Sequence, residues 1–175
     1  ATYYSHNNKL EIIWTVIPTI VLSGVIVYGL QTWTKAMNPD ISNSKVIEVY
    51  SKQFDWTARY SGIDNQLGES NYKLVQGRNQ LGVDLTDENA EDDIVVREVH
   101  LIKDEPVLLK FRSQDVIHSA YLPHFRVQMN CVPGMTTQFA FTPTKTTAEM
   151  RETEEEDFDY ILLCNKICGV AHYNM

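Results

Sequence analysis

Apolar positions run without interruption in one part of this chain and alternate with polar ones in the rest. Residues 12–34, IIWTVIPTIVLSGVIVYGLQTWT, are 23 in number and carry no charge. A helix of that length crosses the roughly 30 Å hydrocarbon core of a bilayer. Trp14 and Trp33 stand near its two ends, where indole rings favour the membrane interface, and Glu11 and Lys35 bracket it with charge. Pro18 falls in the first two turns and predicts a kink there. The pattern predicts a polar loop over 1–11, a transmembrane helix over 12–34 and a polar linker over 35–45. Lys9 and Lys35 lie one on each side of the span, so loop charge does not orient it.

From residue 46 the pattern turns to strands. In PVLLKFR, Val107, Leu109 and Phe111 alternate with Leu108, Lys110 and Arg112, the period of a half-buried strand. VIEVY, VREVHLI, VIHSAYL, TTQFAFT and DYILLC predict further strands, several of them separated by turns containing Asn, Gly or Pro. Six or more strands with no second amphipathic helix predict a β sandwich or a small Greek-key barrel over 46–175. Two segments interrupt it. Residues 61–95 carry eight acidic and two basic side chains and read as a surface insertion with one or two short strands. RETEEEDFD, 151–159, adds six acids before the last strand.

Hydrophobic content of 43% supports a packed core. The net charge of −8 argues against nucleic acid as a partner, since phosphate binding needs a basic face. Acidic runs attract basic partners, or are simply solvated loops. Three cysteines do not make a disulfide framework. The chain opens on ATYYSHNNK, with neither an initiator Met nor a secretory pattern, which points to a processed or truncated start.

Candidate chemistry gathers at the end, in CNKICGVAHYNM, residues 164–175. Cys and Met are soft donors, and together with imidazole they select copper. Zinc sites favour Cys-x2-Cys and have no use for a thioether, whereas Cys164 and Cys168 here are separated by three residues. A mononuclear blue-copper site takes one cysteine. Two thiolates and two imidazoles fit two copper ions bridged by both sulfurs, which needs a second histidine besides His172. The candidates are His6, His100, His118 and His124. His118, in SQDVIHSAYLPHF between a strand-like run and a Pro-containing turn, is best placed to enter a site made by neighbouring loops.

The order DVIHS, VPGM, CNKICGVAHYNM, with LEIIWTVIPTIV upstream, resembles the subunit II family of haem-copper cytochrome c oxidases. The likeness runs from about Leu10 to Met175, apart from the acidic insertion. It implies an all-β, cupredoxin-like Greek-key barrel preceded by a transmembrane α-helix, with the barrel on the outer side of the membrane. It further implies that Cys164 and Cys168 bridge a dinuclear copper centre. His118 and Met175 would complete one ion, and His172 and the carbonyl of Lys166 the other; the sequence leaves the allotment of outer ligands open. The function implied is electron transfer, with electrons passing from a c-type cytochrome through the copper pair to the haem of subunit I. There oxygen is reduced and protons are pumped. The partners implied are subunit I, other oxidase subunits, the lipid bilayer and a cytochrome that is either soluble or part of a neighbouring complex.

The sequence departs from that family in several places. Lys166 stands where the family has a glutamate that binds magnesium at the contact with subunit I. A protonated lysine cannot ligate magnesium but offers a fixed positive charge in its place. In SKQFDWTARY, Phe54 takes the first position of a tryptophan patch where electrons enter, and Trp56 is kept. Glu11 matches a glutamate near the entrance of a proton path, or serves as an interfacial anchor. The family's first transmembrane helix would precede Ala1. Cys131, in NCVPG, reads as a small buried residue, and His124 receives no role. The departures and the insertion incline the reading to a bacterial inner membrane with a periplasmic copper domain, over a mitochondrial one. Three rivals are the soluble copper domain of nitrous oxide reductase, which the span argues against, a membrane-anchored copper-delivery protein, and a purely structural subunit, which copper content would tell apart.

Overall fold

The computed structural model describes residues 3, 5–39 and 41–175. It divides into two compact units, Ala1–Asp40 and Ile41–Met175. The first contains α1, Asn8–Met37, which runs about a turn beyond the charge-free stretch at each end. Asn7 caps it by accepting the Leu10 N–H at 3.1 Å, and Glu11 reaches back to the Asn7 N–H at 3.3 Å. Pro18 lies inside the helix, and none of the helix's side chains is buried. Its length and composition suffice to cross a membrane.

The second unit is a sandwich of two sheets, the cupredoxin-like architecture that the resemblance implies. Its strands are β1 Lys45–Lys52, β2 Asp55–Tyr60, β3 Ile94–Val96, β4 Val107–Ser113, β5 His118–Leu122, β6 Val127–Cys131, β7 Thr137–Phe141 and β8 Leu163–Cys164. One sheet has the order β3-β2-β1-β4-β7 and the other β6-β5-β8. The β1–β4 pair is parallel, with Val49 opposite Phe111, and the remaining pairs are antiparallel. Ile47, Val49, Ala58, Val107, Leu109 and Phe111 from the first sheet meet Ala120 and Cys131 from the second to form the core.

Strand β1 is buried on both faces, because the acidic insertion folds back over the outside of the five-stranded sheet. Tyr50 packs there with Leu81 and Val83. Glu48 accepts from Arg59 Nε at 2.9 Å and from Arg112 at 2.7 Å, while Arg59 also donates to Asp93 and to the Gly68 carbonyl, both at 3.0 Å. Asp92 takes the Ile63 N–H at 2.6 Å and Asp87 the Glu69 N–H at 2.6 Å. Several of the insertion's acids therefore work inside the fold, holding the loop to itself and to the sheet. The insertion contains two short 3-10 turns, Tyr72–Leu74 and Glu88–Ala90, before it ends in β3.

Two strand expectations are corrected here, and a strand they did not include is present. VREVHLI pairs over Val96 alone, continuing Ile94 and Val95. Farther along, the Tyr60 hydroxyl takes the His100 N–H and donates to its carbonyl at 3.0 Å, so the backbone there is satisfied outside a ladder. In DYILLC only Leu163 and Cys164 join a sheet. VQMNC forms β6, whose buried Val127 and Cys131 flank exposed Gln128 and Asn130. The expectation of no second helix also fails, since Thr147–Thr153 forms α2. Its start is a capping box: Glu149 N–H donates to Thr146 Oγ1 at 3.1 Å, and Thr146 N–H to Glu149 Oε2 at 2.8 Å.

Hydrogen bonds from Lys103 first, then from Thr146, hold the exposed Glu149 carboxyl down at about 2. A depressed folded value means the cap is fully present above the ordinary 4.5 and is lost as pH falls through about 2. Amide exchange at Thr146 and Glu149 is expected to lose protection across that window, and Glu149→Gln to flatten the dependence; an unchanged profile in the variant would assign the protection elsewhere.

Candidate metal centre

His118 opens β5 and is fully buried, opposite Cys131 of β6. Cys164 ends β8, paired with Ala120 of β5. Beyond it the chain makes a tight loop. Asn165 N–H donates to the Ser119 carbonyl at 2.9 Å, His172 N–H to the Gly169 carbonyl at 3.2 Å, and Cys164 N–H to the Met175 carbonyl at 2.8 Å. Those bonds turn the loop back on itself and set its donors against the end of β5.

The two thiols lie 3.7 Å apart, sulfur to sulfur, and are not joined. His118 Nδ1 stands 3.8 Å from Cys164 Sγ, and His172 Nδ1 3.6 Å from Cys168 Sγ. Met175 Sδ is 3.9 Å from Cys168 Sγ, and the Lys166 carbonyl 3.2 Å from Cys164 Sγ. All six groups named in the sequence thus meet at one place. His118, Cys164 and Cys168 are buried and their ligand atoms fall within 4.8 Å of one another, the group with metal-binding character among the described residues. Two other histidines of this unit lie apart from the group: His100 is exposed beside Glu98, and His124 sits between the rings of Phe158 and Tyr160. His6 belongs to the helical unit.

The donor chemistry fits a soft cation. Burial, then its neighbour Cys164, pushes the Cys168 thiol up to about 11, so this thiol resists ionising without positive charge beside its sulfur. The outer shell is arranged to match. His118 Nε2 meets Asp115 Oδ1 at 2.8 Å, which puts the proton on Nε2 and leaves the Nδ1 lone pair facing the sulfurs. Burial raises the Asp115 carboxyl, but hydrogen bonds from His118, Gln53 and Val116 overcome this and hold it below its ordinary value. Asp115 had been legible only as a letter of DVIHS, three residues before the histidine. Cys131 is also buried and its thiol is pushed up to about 11 by desolvation, as an inert core residue would be.

Phe54 and Trp56 both pack on the Cys164–Cys168–Met175 cluster, and the Trp56 and His118 rings meet edge-on with centroids 6.2 Å apart. Lys166 is exposed, and so are Ile167, Val170 and Tyr173 of the same loop, each at least 88%. Glu11 lies in the first turn of α1, within the helical unit.

The family described as cytochrome c oxidase subunit II, periplasmic domain, matches residues 45–175, and its transmembrane domain matches residues 1–32. The chain belongs to the cytochrome c oxidase subunit II family. Helix α1 is accordingly its membrane anchor. An alternative cytochrome c oxidase subunit 2 from Bradyrhizobium diazoefficiens is 33% identical over 177 residues, covering 100% of this chain and 60% of its own length. A cytochrome c oxidase subunit 2 from Synechocystis is 25% identical, covering 97% of this chain and 53% of its own length. This subunit II chain therefore spans between about half and two-thirds of the relatives it matches. A crystal structure of the periplasmic domain of cytochrome oxidase subunit II from Bradyrhizobium japonicum aligns with a TM-score of 0.45 and 21% identity, over 75% of this chain and 78% of that one.

Proposed function

We propose that this chain is the electron-accepting subunit of a cytochrome c oxidase, and that His118 and the loop 164–175 hold a dinuclear copper centre. The observation that carries this reading is the buried, unjoined thiol pair 3.7 Å apart, with an imidazole nitrogen beside each sulfur. At a thiolate–metal bond length of about 2.3 Å, a sulfur pair with that spacing has bonding positions on two opposite sides. Cys164 and Cys168, with His118, His172, Met175 and the Lys166 carbonyl, would hold the copper centre. When bound, the copper pair supplies one-electron transfer with the charge shared between two ions.

The protein's own residues hold that site in place. Asp115 fixes the His118 ring, β5 and β8 fix the entry of two ligands, and burial of both thiols keeps bulk water from the sulfurs. Phe54 and Trp56, packed on the sulfur cluster, are the aromatic side chains through which electrons from a c-type cytochrome enter. The exposed acids of 152–157 steer a basic cytochrome, either soluble or part of a neighbouring complex. Onward transfer goes to the haem of subunit I, where oxygen reduction is coupled to proton pumping, with Glu11 at a proton-path entrance. Lys166 is exposed and leaves no carboxylate between the cysteines, so magnesium is not held there by this residue. The barrel lies on the periplasmic side of a bacterial inner membrane.

Full-length chain in detergent, loaded with copper, is expected to bind two ions and to show electron paramagnetic resonance hyperfine structure from one electron shared over two nuclei. One copper per chain, or a silent Cu(I) form, would turn the assignment to a copper-delivery protein.

A further inference from the structure

We infer that Gln53 is a positioning residue for the metal centre, joining its two ligand-bearing segments from the turn between β1 and β2. The inference rests on the copper reading above. Gln53 Nε2 donates to the carbonyl of Cys168 at 2.5 Å, so the side chain holds the backbone of one thiol residue. Its own N–H donates to Asp115 Oδ2 at 2.7 Å. The other oxygen of Asp115 holds His118 Nε2 at 2.8 Å and the Val116 N–H at 2.7 Å. One residue thus reaches the histidine ligand through Asp115 and the thiolate loop through Cys168. The start of the loop is tied to the histidine's strand separately, by the β5–β8 pairing and the Asn165–Ser119 backbone bond.

The fit at this joint is close. Gly169, next to Cys168, has φ +138, and a Cβ there would lie 2.8 Å from Gln53 Nε2 and 2.8 Å from Phe54 Cζ. The loop backbone is therefore pressed against the Gln53–Phe54 turn, and a side chain at Gly169 would part them. A carbonyl that accepts a hydrogen bond is fixed in direction, and with it the Cα–Cβ–Sγ arm of the same residue. Donation to the Cys168 peptide also draws electron density away from that arm, which favours the electron-rich, reduced state of whatever the sulfur binds. Gln53 itself touches no donor atom, so it acts through Cys168 and Asp115.

The test compares full-length wild type with Gln53→Met, which keeps the length and loses the donor, and Gln53→Glu, which puts an acceptor against the carbonyl. Both variants are expected to hold two copper ions per chain. They should release copper to a chelator about 10-fold faster, the lower end of the range for outer-shell partners. Their midpoint potential should fall, further for Gln53→Glu, and the hyperfine pattern should change. Wild-type release rate, potential and spectrum in both variants would overturn the inference while leaving the copper reading intact. Variants that lose only melting temperature in the metal-free chain, or fail to fold before loading, would also overturn it, marking Gln53 as a stabiliser of the turn. A wild-type chain that binds no copper pair would instead overturn the copper reading, and the inference with it.

Discussion

Serine at position 168 is expected to end dinuclear binding altogether. The hydroxyl is far too weak an acid to bridge two ions, so Cys164 would be left as the single thiolate beside His118 and His172. Copper per chain should fall from two to one or none, the shared-electron spectrum should vanish, and affinity should drop by at least about 100-fold, the upper end of outer-shell effects. Copper counting and electron paramagnetic resonance on the full chain carried through Cys168→Ser would measure all three. If Cys164 and Cys168 were merely packed thiols, the variant would change stability and nothing else. Two coppers with an unaltered spectrum in the serine variant would therefore overturn the ligand assignment.

The second large effect is one of stability. Arg59→Met would take from Asp93 its charged partner and leave Glu48 with Arg112 alone, and the two carboxylate side chains are 4% and 3% exposed. Removing one partner of a buried ionic network costs about 3–5 kcal/mol, against a total stability of about 5–15 kcal/mol for a typical domain. Urea unfolding of the variant should show a midpoint lowered in that proportion, with the insertion losing protection from proteolysis first. Arg59→Lys should recover little, because one guanidinium meets Glu48, Asp93 and the Gly68 carbonyl in separate directions that an ammonium cannot match. A loss below about 1 kcal/mol, typical of exposed pairs, would show that the insertion opens and rehydrates these groups.

How far the sequence foretold this structure depends on the range over which each element is decided. Helix α1 needs only its uninterrupted apolar run, and β4 only the alternation of Val107, Leu109 and Phe111, so both were legible. Helix α2 spans seven residues, too few for a helical period to stand out; its signal is the Thr146–Glu149 capping box, which composition buries among acids. Strand β6 does carry a period of two, but its polar positions, Gln128 and Asn130, mask it. Composition made the insertion look solvated, whereas Asp93 answers to Arg59, 34 residues away, and Ser70 to Arg112, 42 away. The parallel pairing of β1 with β4 has no local signal either. At the site the same rule holds. The loop donors are contiguous and could be read together, and His118 stands beside its strand. Gln53 meets Cys168 across 115 residues of sequence, and no spacing rule reaches that far.

The bond from the Cys164 amide to the Met175 carbonyl closes residues 164–175 into a ring that contains five of the six proposed donors. A donor that lets go of its ion inside such a ring stays beside it at an effective concentration on the order of millimolar, and rebinds before the ion can leave. Escape then requires the ring itself to open, a concerted event in place of a series of single detachments. Copper held this way would be retained kinetically as well as thermodynamically, so the occupancy of the centre would reflect the history of its loading more than the free copper around it.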